Sequence, residues 1–175
     1  MRMDELLTLE REGRLPEFVL FWGGPQRKGC LSQWYDAPFT VSGVRYQTAE
    51  HWMMAEKARL FGDDGARREI LARPSPALAK DVGRHVRGFD EETWARHRYE
   101  IVVAGNRAKF AAHGKLRDYL RSTVGKVLVE ASPEDRVWGV GHSEDQPEAQ
   151  LPSAWRGLNL LGFALMDVRQ SLLDD

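Results

Sequence analysis

One proline-free stretch constrains the fold more than any other feature: residues 91–112, opened by Asp90. Asp90 suits an N-cap, and Trp94, Ala95, Tyr99, Val102, Val103, Asn106 and Phe110 recur at helical spacing, which predicts one long helix with a single stripe. Further helices are expected over 3–11, 49–60, 64–72, about 76–82 and 115–120, and from Asn159 through Leu172. Strands are expected at FVLFWGG (18–24), on both sides of a hairpin turn at Ser42-Gly43, at KVLVEA (126–131) and at VWGVG (137–141). PQRKG (25–29) reads as a polar loop and SEDQPEAQLP (143–152) as a mobile polar surface loop. Strand and helix do not alternate regularly, which excludes a doubly wound sheet. The expected fold class is α+β, a single helix-rich domain with short β-strands. Residues 1–17 are expected to be an N-terminal helical extension and 18–172 the domain itself.

Charge and cysteine content narrow the function. Lys+Arg number 25 and Asp+Glu 26, a formal net charge of -1, so no broad electrostatic footprint for nucleic acid is expected. A local basic pocket for a phosphorylated small molecule stays open. The one cysteine, Cys30, can form neither an internal disulfide nor a cysteine-based metal site. The segment MRMDELLTLEREG lacks the apolar core of a signal peptide, and no apolar run approaches a membrane span, so the expected location is cytoplasmic with no membrane partner. Six tryptophans, several beside Gly or Asp, suggest a pocket with an aromatic lining.

Thr48 is the expected N-cap of the helix over 49–60, which puts Glu50 at N2 and His51 at N3. There Glu50 either finishes the helix end or is a carboxylate held ready for a positive centre or a water. Glu50, Met54 and Lys57 share a face, with Lys57 about 10 Å along the axis, too far to pair with Glu50 directly. Asn106 interrupts an apolar stripe, so its amide must bond to backbone or to a ligand. Trp94 on that stripe is core unless its end of the helix opens into a pocket. In SPEDRVWGVG, Asp135 either holds a turn or orients a ribose hydroxyl or a water, and Gly139 and Gly141 let backbone amides approach a ligand. Arg84 and Arg87, flanked by Gly83 and Gly88, are candidates for a phosphate contact. The five histidines show no metal-ligand spacing, and no nucleotide-binding or nucleophile-elbow motif occurs.

In order along the chain, CLSQWYDAPFTVSGVRYQTAEHWMMAEKA, GNRAKF, LVEASPEDRVWGVG and GLNLLGFALMDVR resemble the NADAR family over roughly residues 18–170. The resemblance implies an N-glycosidase. One branch of the family acts on phosphoribosylated pyrimidine intermediates of riboflavin biosynthesis, and another removes ADP-ribose from guanine in nucleic acid, in some cases through a lysine Schiff base. It implies Glu50 as the catalytic glutamate, Trp94 and Trp138 as pocket tryptophans and Asp135 as the aspartate before the second of them. Gln33 stands where the family has asparagine, beside Trp34, and both are expected at the substrate with Arg84 and Asn106. For a covalent lysine step Lys28 and Lys57 are the candidates, and the sequence leaves open Lys28, Lys57 or neither. The expected substrate is a ribosyl phosphate or ADP-ribosyl small molecule, with ADP-ribosylated nucleic acid as the alternative. A module that binds ADP-ribose or a nucleotide without cleaving it is a further alternative. The chemistry requires neither cofactor nor metal.

Overall fold

The structure, a computed structural model, describes residues 2–23 and 27–174. In chain order it contains α1 (Met3–Arg11), β1 (Phe18–Phe21), a 3-10 helix (Arg27–Leu31), β2 (Phe39–Val41), β3 (Val44–Tyr46), α2 (Ala49–Leu60), α3 (Asp64–Ala72), α4 (Pro76–Arg84), α5 (Glu91–Ala112), α6 (Gly114–Arg121), β4 (Val127–Glu130), two 3-10 helices (Pro147–Gln150 and Pro152–Ala154) and α7 (Leu160–Asp174). This is the expected α+β, helix-rich architecture. The chain divides into two compact units, residues 33–114 and a unit built from 1–32 with 115–175.

Residues 33–114 are organised around α2. Nine of its twelve residues are buried, because α3, α4, α5 and β3 all pack on it. Two glycines allow the close approaches. A Cβ at Gly83 of α4 would lie 2.1 Å from Met54 Sδ, and one at Gly105 of α5 would lie 2.2 Å from Trp52 Cδ1. The Trp52 indole N–H donates to Ile101 O at 2.7 Å, and its ring meets Tyr46 edge-on at 5.0 Å. β2 and β3 pair antiparallel around Ser42 and Gly43, whose φ values of 49° and 79° are those of the expected two-residue hairpin turn. The buried stripe of α5 is Trp94, Val102, Gly105, Asn106, Lys109 and Phe110. Ala95 is exposed, while Lys109 is fully buried, which the periodicity did not anticipate.

In the other unit β1 and β4 pair in parallel, Phe18 opposite Val127 through Phe21 opposite Glu130, with α7 packed on β4. α7 buries Leu161, Phe163, Ala164, Leu165, Val168 and Leu172. Asn159 precedes α7 with φ 51°, and its side chain ties the helix start to β4 by accepting from Glu130 N and donating to Leu128 O. One expectation needs correction here. Residues 137–141 are not a strand: Asp135 Oδ1 accepts the amides of Val137 and Trp138, leaving bends in place of a ladder. The segment 143–152 is an exposed surface loop for much of its length, but its second half is shaped by two 3-10 helices, with Ala149 and Pro152 buried. Gly24, Pro25 and Gln26 of the expected glycine turn and polar loop lie outside the described residues; beyond them a 3-10 helix takes the place of a loop.

Candidate active site

Glu50 reaches its position through a locally dictated helix start. Thr48 adopts extended backbone and its Oγ1 accepts the amide of His51 at 3.3 Å, an N-cap that leaves Glu50 in the first turn. The Glu50 amide, one of the donors a helix start leaves over, donates instead to Gln33 O at 3.0 Å. The Glu50 side chain is 2% exposed. A carboxylate there is favoured by the positive end of the helix dipole.

His51 secures the same turn. Its Nε2 lies 3.0 Å from Arg73 O, which only accepts, so Nε2 carries the proton. Nδ1 is then an acceptor and takes the Thr48 hydroxyl proton at 2.8 Å. Thr48 and His51 thus exchange hydrogen bonds, and the imidazole ties the Glu50 turn to the C-cap of α3. Motif reasoning had only excluded His51 as a metal ligand; its position at N3 behind a threonine cap was the available signal.

On the facing stripe of α5, Asn106 Nδ2 donates to Val102 O at 2.9 Å and to Gln33 Oε1 at 2.7 Å. The backbone bond expected as one alternative for Asn106 is present, and its second bond goes to the Gln33 side chain. Gln33, Glu50 and Asn106 are joined by hydrogen bonds.

Lys57 lies two turns further along α2 and does not share that network. Its Nζ donates to Gly83 O at 2.9 Å and sits 4.1 Å from the Phe89 ring centroid and 5.7 Å from that of Trp94. Burial pushes the Lys57 amine below its ordinary value, with Glu91 partly opposing. Trp94 is buried, 7% exposed. Trp34 is the exposed tryptophan of this unit at 46%, with Lys80 Nζ 5.9 Å from its ring centroid. Arg84 is exposed at the end of α4, whereas the Arg87 guanidinium is held by Asp63 in two hydrogen bonds, 3.2 and 2.8 Å. Arg87 is thus engaged by Asp63, while its side chain stays largely exposed.

A cleft of about 390 Å³ lies between α3 and α4, lined by Asp63, Glu69, Arg73, Asp81, His85 and Arg87 among others. Of the residues expected at the substrate, it is lined by Arg87 alone. Two ion pairs lie in it, Arg87 with Asp63 and Arg73 with Glu69.

In the other unit, Asp135 performs the turn role foreseen for it. Its Oδ1 accepts Val137 N at 2.8 Å and Trp138 N at 2.7 Å, and its own amide donates to Ser132 Oγ at 3.3 Å. Trp138, three residues on, is half-buried. The turn is tightly packed: a Cβ at Gly139 would lie 2.9 Å from Glu130 O, and one at Gly157 2.2 Å from Gly139 O. Lys28 forms an ion pair with Glu144. Among the described residues no cluster of three or more His, Cys, Asp or Glu side chains could hold a metal, and no helix is long and apolar enough to cross a membrane.

Residues 20–173 match the NADAR domain. The chain is 36% identical over 162 residues to N-glycosidase R617 of Acanthamoeba polyphaga mimivirus, spanning 88% of this chain and 95% of that protein. It is 30% identical over 154 residues to N-glycosidase YbiA of Escherichia coli, spanning 88% of each. It is 33% identical over 135 residues to the chloroplastic riboflavin biosynthesis protein PYRR of Zea mays, which covers 73% of this chain and 20% of that protein. The NMR structure of Escherichia coli YbiA superposes with a TM-score of 0.76 at 29% identity, over 91% of this chain and 87% of that one.

Proposed function

The chain belongs to the NADAR family, and from that premise we propose that it is an N-glycosidase in which Glu50 is the catalytic carboxylate. Relatives at 30% and 36% identity carry that activity in their names. What supports the residue assignment is the build of the Glu50 turn: a buried carboxylate at a helix start, held by Thr48, His51 and Gln33. Such a turn is fixed before substrate arrives, so no reorganisation is needed when charge develops.

Breaking a ribosyl C–N bond puts positive charge on the sugar ring and negative charge on the departing base. Glu50 stabilises the sugar cation and takes a proton from the water that attacks the anomeric carbon; the departing base takes up a proton from solvent, and Glu50 returns its own to solvent. The products are the free sugar hydroxyl and the neutral base. The substrate class we assign is a phosphoribosylated pyrimidine intermediate of riboflavin biosynthesis, the direction in which the maize relative's name points. For Asp135 and Trp138 the proposed roles are those of the family pattern, a ribose or water contact and a stacking surface. Cleavage of such an aminopyrimidine ribosyl phosphate, followed by release of ribose 5-phosphate, tests the assignment. Tight binding without release of sugar or base counts for a non-cleaving module instead.

A second reading, removal of ADP-ribose from guanine, draws support from Lys57. Its lowered basicity raises the share of free amine, whereas Lys28 is engaged in an ion pair with Glu144. In that route the Lys57 amine attacks C1 and the base departs with the proton the amine loses; the C1–O bond of the ring then opens, its oxygen taking a proton, and water hydrolyses the resulting imine to free sugar and amine. Borohydride trapping during turnover on ADP-ribosylated guanosine tests it: a reduced adduct on Lys57 supports the amine route, and turnover with no adduct rejects it.

A further inference from the structure

The two side-chain amides joined by the Asn106–Gln33 hydrogen bond each keep one polar atom without a hydrogen-bond partner: Gln33 Nε2 and Asn106 Oδ1. The residues are 5% and 0% exposed. Buried amide atoms are rarely left this way in folded proteins, and each such case calls for a physical reason. The orientations are fixed by the backbone. Val102 O can only accept, so the Asn106 atom 2.9 Å from it is the NH2 group. That NH2 also faces Gln33 at 2.7 Å, so the Gln33 atom there is the carbonyl oxygen. Turning Asn106 over would oppose two carbonyls, and turning Gln33 alone would oppose two NH2 groups. One donor and one acceptor therefore remain, and their order is set by the chain.

We propose that this amide pair binds a ribose hydroxyl of the substrate, with Gln33 Nε2 donating to the hydroxyl oxygen and Asn106 Oδ1 accepting the hydroxyl proton. The inference rests on the reading of Glu50 as the catalytic carboxylate. Gln33 connects the two, because its main-chain carbonyl accepts the Glu50 amide at 3.0 Å. A group read by the Gln33 side chain therefore lies close to the carbon that Glu50 serves, and the 2-hydroxyl is the neighbour of the anomeric carbon. A hydroxyl accepts and donates through one atom, which suits a single donor beside a single acceptor. A phosphate oxygen would satisfy Gln33 Nε2 but face Asn106 Oδ1 with like charge, and a ring N–H would satisfy only Asn106. Hydrogen bonds to the 2-hydroxyl also strengthen as a glycosyl cation forms, so this contact sharpens the reaction as well as the choice of sugar.

Titration calorimetry with ribose 5-phosphate and 2-deoxyribose 5-phosphate tests the pair in the full-length chain. The wild type is expected to prefer the ribose compound by about 10- to 100-fold, since the deoxy sugar strands both buried amide atoms. Gln33→Met and Asn106→Leu are each expected to bring the two affinities within about threefold of each other. Equal affinities in the wild type, binding of neither sugar, or a preference that survives both substitutions overturns the proposal. The wild-type comparison decides even where a variant fails to fold. Glu50→Gln keeps the sugar preference if the amide pair reads the hydroxyl. Full turnover by that variant would sink the Glu50 reading alone, so the two failures are separable.

Discussion

Replacing His51 with leucine isolates the connection between the fold of α2 and the placing of Glu50. Leucine roughly preserves buried bulk but loses the donation from Nε2 to Arg73 O at 3.0 Å and the acceptance by Nδ1 of the Thr48 hydroxyl at 2.8 Å. His51 is 1% exposed, so water cannot readily replace either bond. Each stranded partner costs about 1–3 kcal/mol, so His51→Leu is expected to destabilise by about 2–6 kcal/mol, less whatever the apolar side chain returns. His51→Gln, which can still donate to Arg73 O, is expected to lose about half as much. Urea unfolding followed by tryptophan fluorescence measures both, and the slope of the transition shows whether two-state analysis holds. For a domain of ordinary stability His51→Leu remains mostly folded at 25 °C. Its turnover is expected to fall about 10- to 100-fold with little change in KM, because a carboxylate displaced by a fraction of an ångström loses the attack geometry. A His51→Leu protein within 0.5 kcal/mol of wild type, or one as active as wild type, would refute the reasoning.

Two further outcomes follow from the packing and charge of residues 33–114. Gly105→Ala gains about 1 kcal/mol of helix propensity, but the new methyl meets Trp52 Cδ1 at 2.2 Å and threatens the indole bond to Ile101 O. Overpacking costs about 1–3 kcal/mol and the lost bond about 1 kcal/mol, so a net fall in thermal midpoint is expected where an exposed helix glycine would give a rise. Asp63 is held well below the usual carboxylate range, first by the Arg87 side chain and then by the amides of Arg87 and Ala66. Its depressed value in the fold means the stabilisation is present above the unfolded carboxylate value, about 3.9, and is lost as pH falls below it. The gap in unfolding midpoint between wild type and Asp63→Asn should therefore be wide at neutral pH and narrow on acidification; a gap independent of pH contradicts that account.

Local chemistry made much of this fold legible. Thr48 and Asp90 cap α2 and α5 because a short polar side chain there meets amides the helix leaves over, a signal that needs no tertiary context. Ser42-Gly43 likewise announces the hairpin. The burial of α2 on nearly every side was not legible, since a helix enclosed by α3, α4, α5 and β3 loses the two-faced pattern that periodicity detects. Residues 137–141 looked like a strand because Val137, Trp138 and Val140 favour one, yet a single aspartate oxygen at 135 captured two of the amides. In the candidate site, Glu50 stood out by motif, while the bond from Gln33 to Asn106 joins residues 73 positions apart and no local spacing reveals it. Lys109 escaped notice because lysine is seldom fully buried, although it sits one turn beyond Asn106 on the same face.

The central claim is that Glu50 performs the cleavage, and single-turnover release of the sugar by Glu50→Gln tests it most directly. The amide keeps the side chain's size and can still accept a hydrogen bond, but it neither takes a proton from water nor balances a sugar cation. The expected result is a folded protein that binds substrate as tightly as wild type and cleaves it about 10³-fold or more slowly. Cleavage by Glu50→Gln within a few fold of wild type would contradict the account.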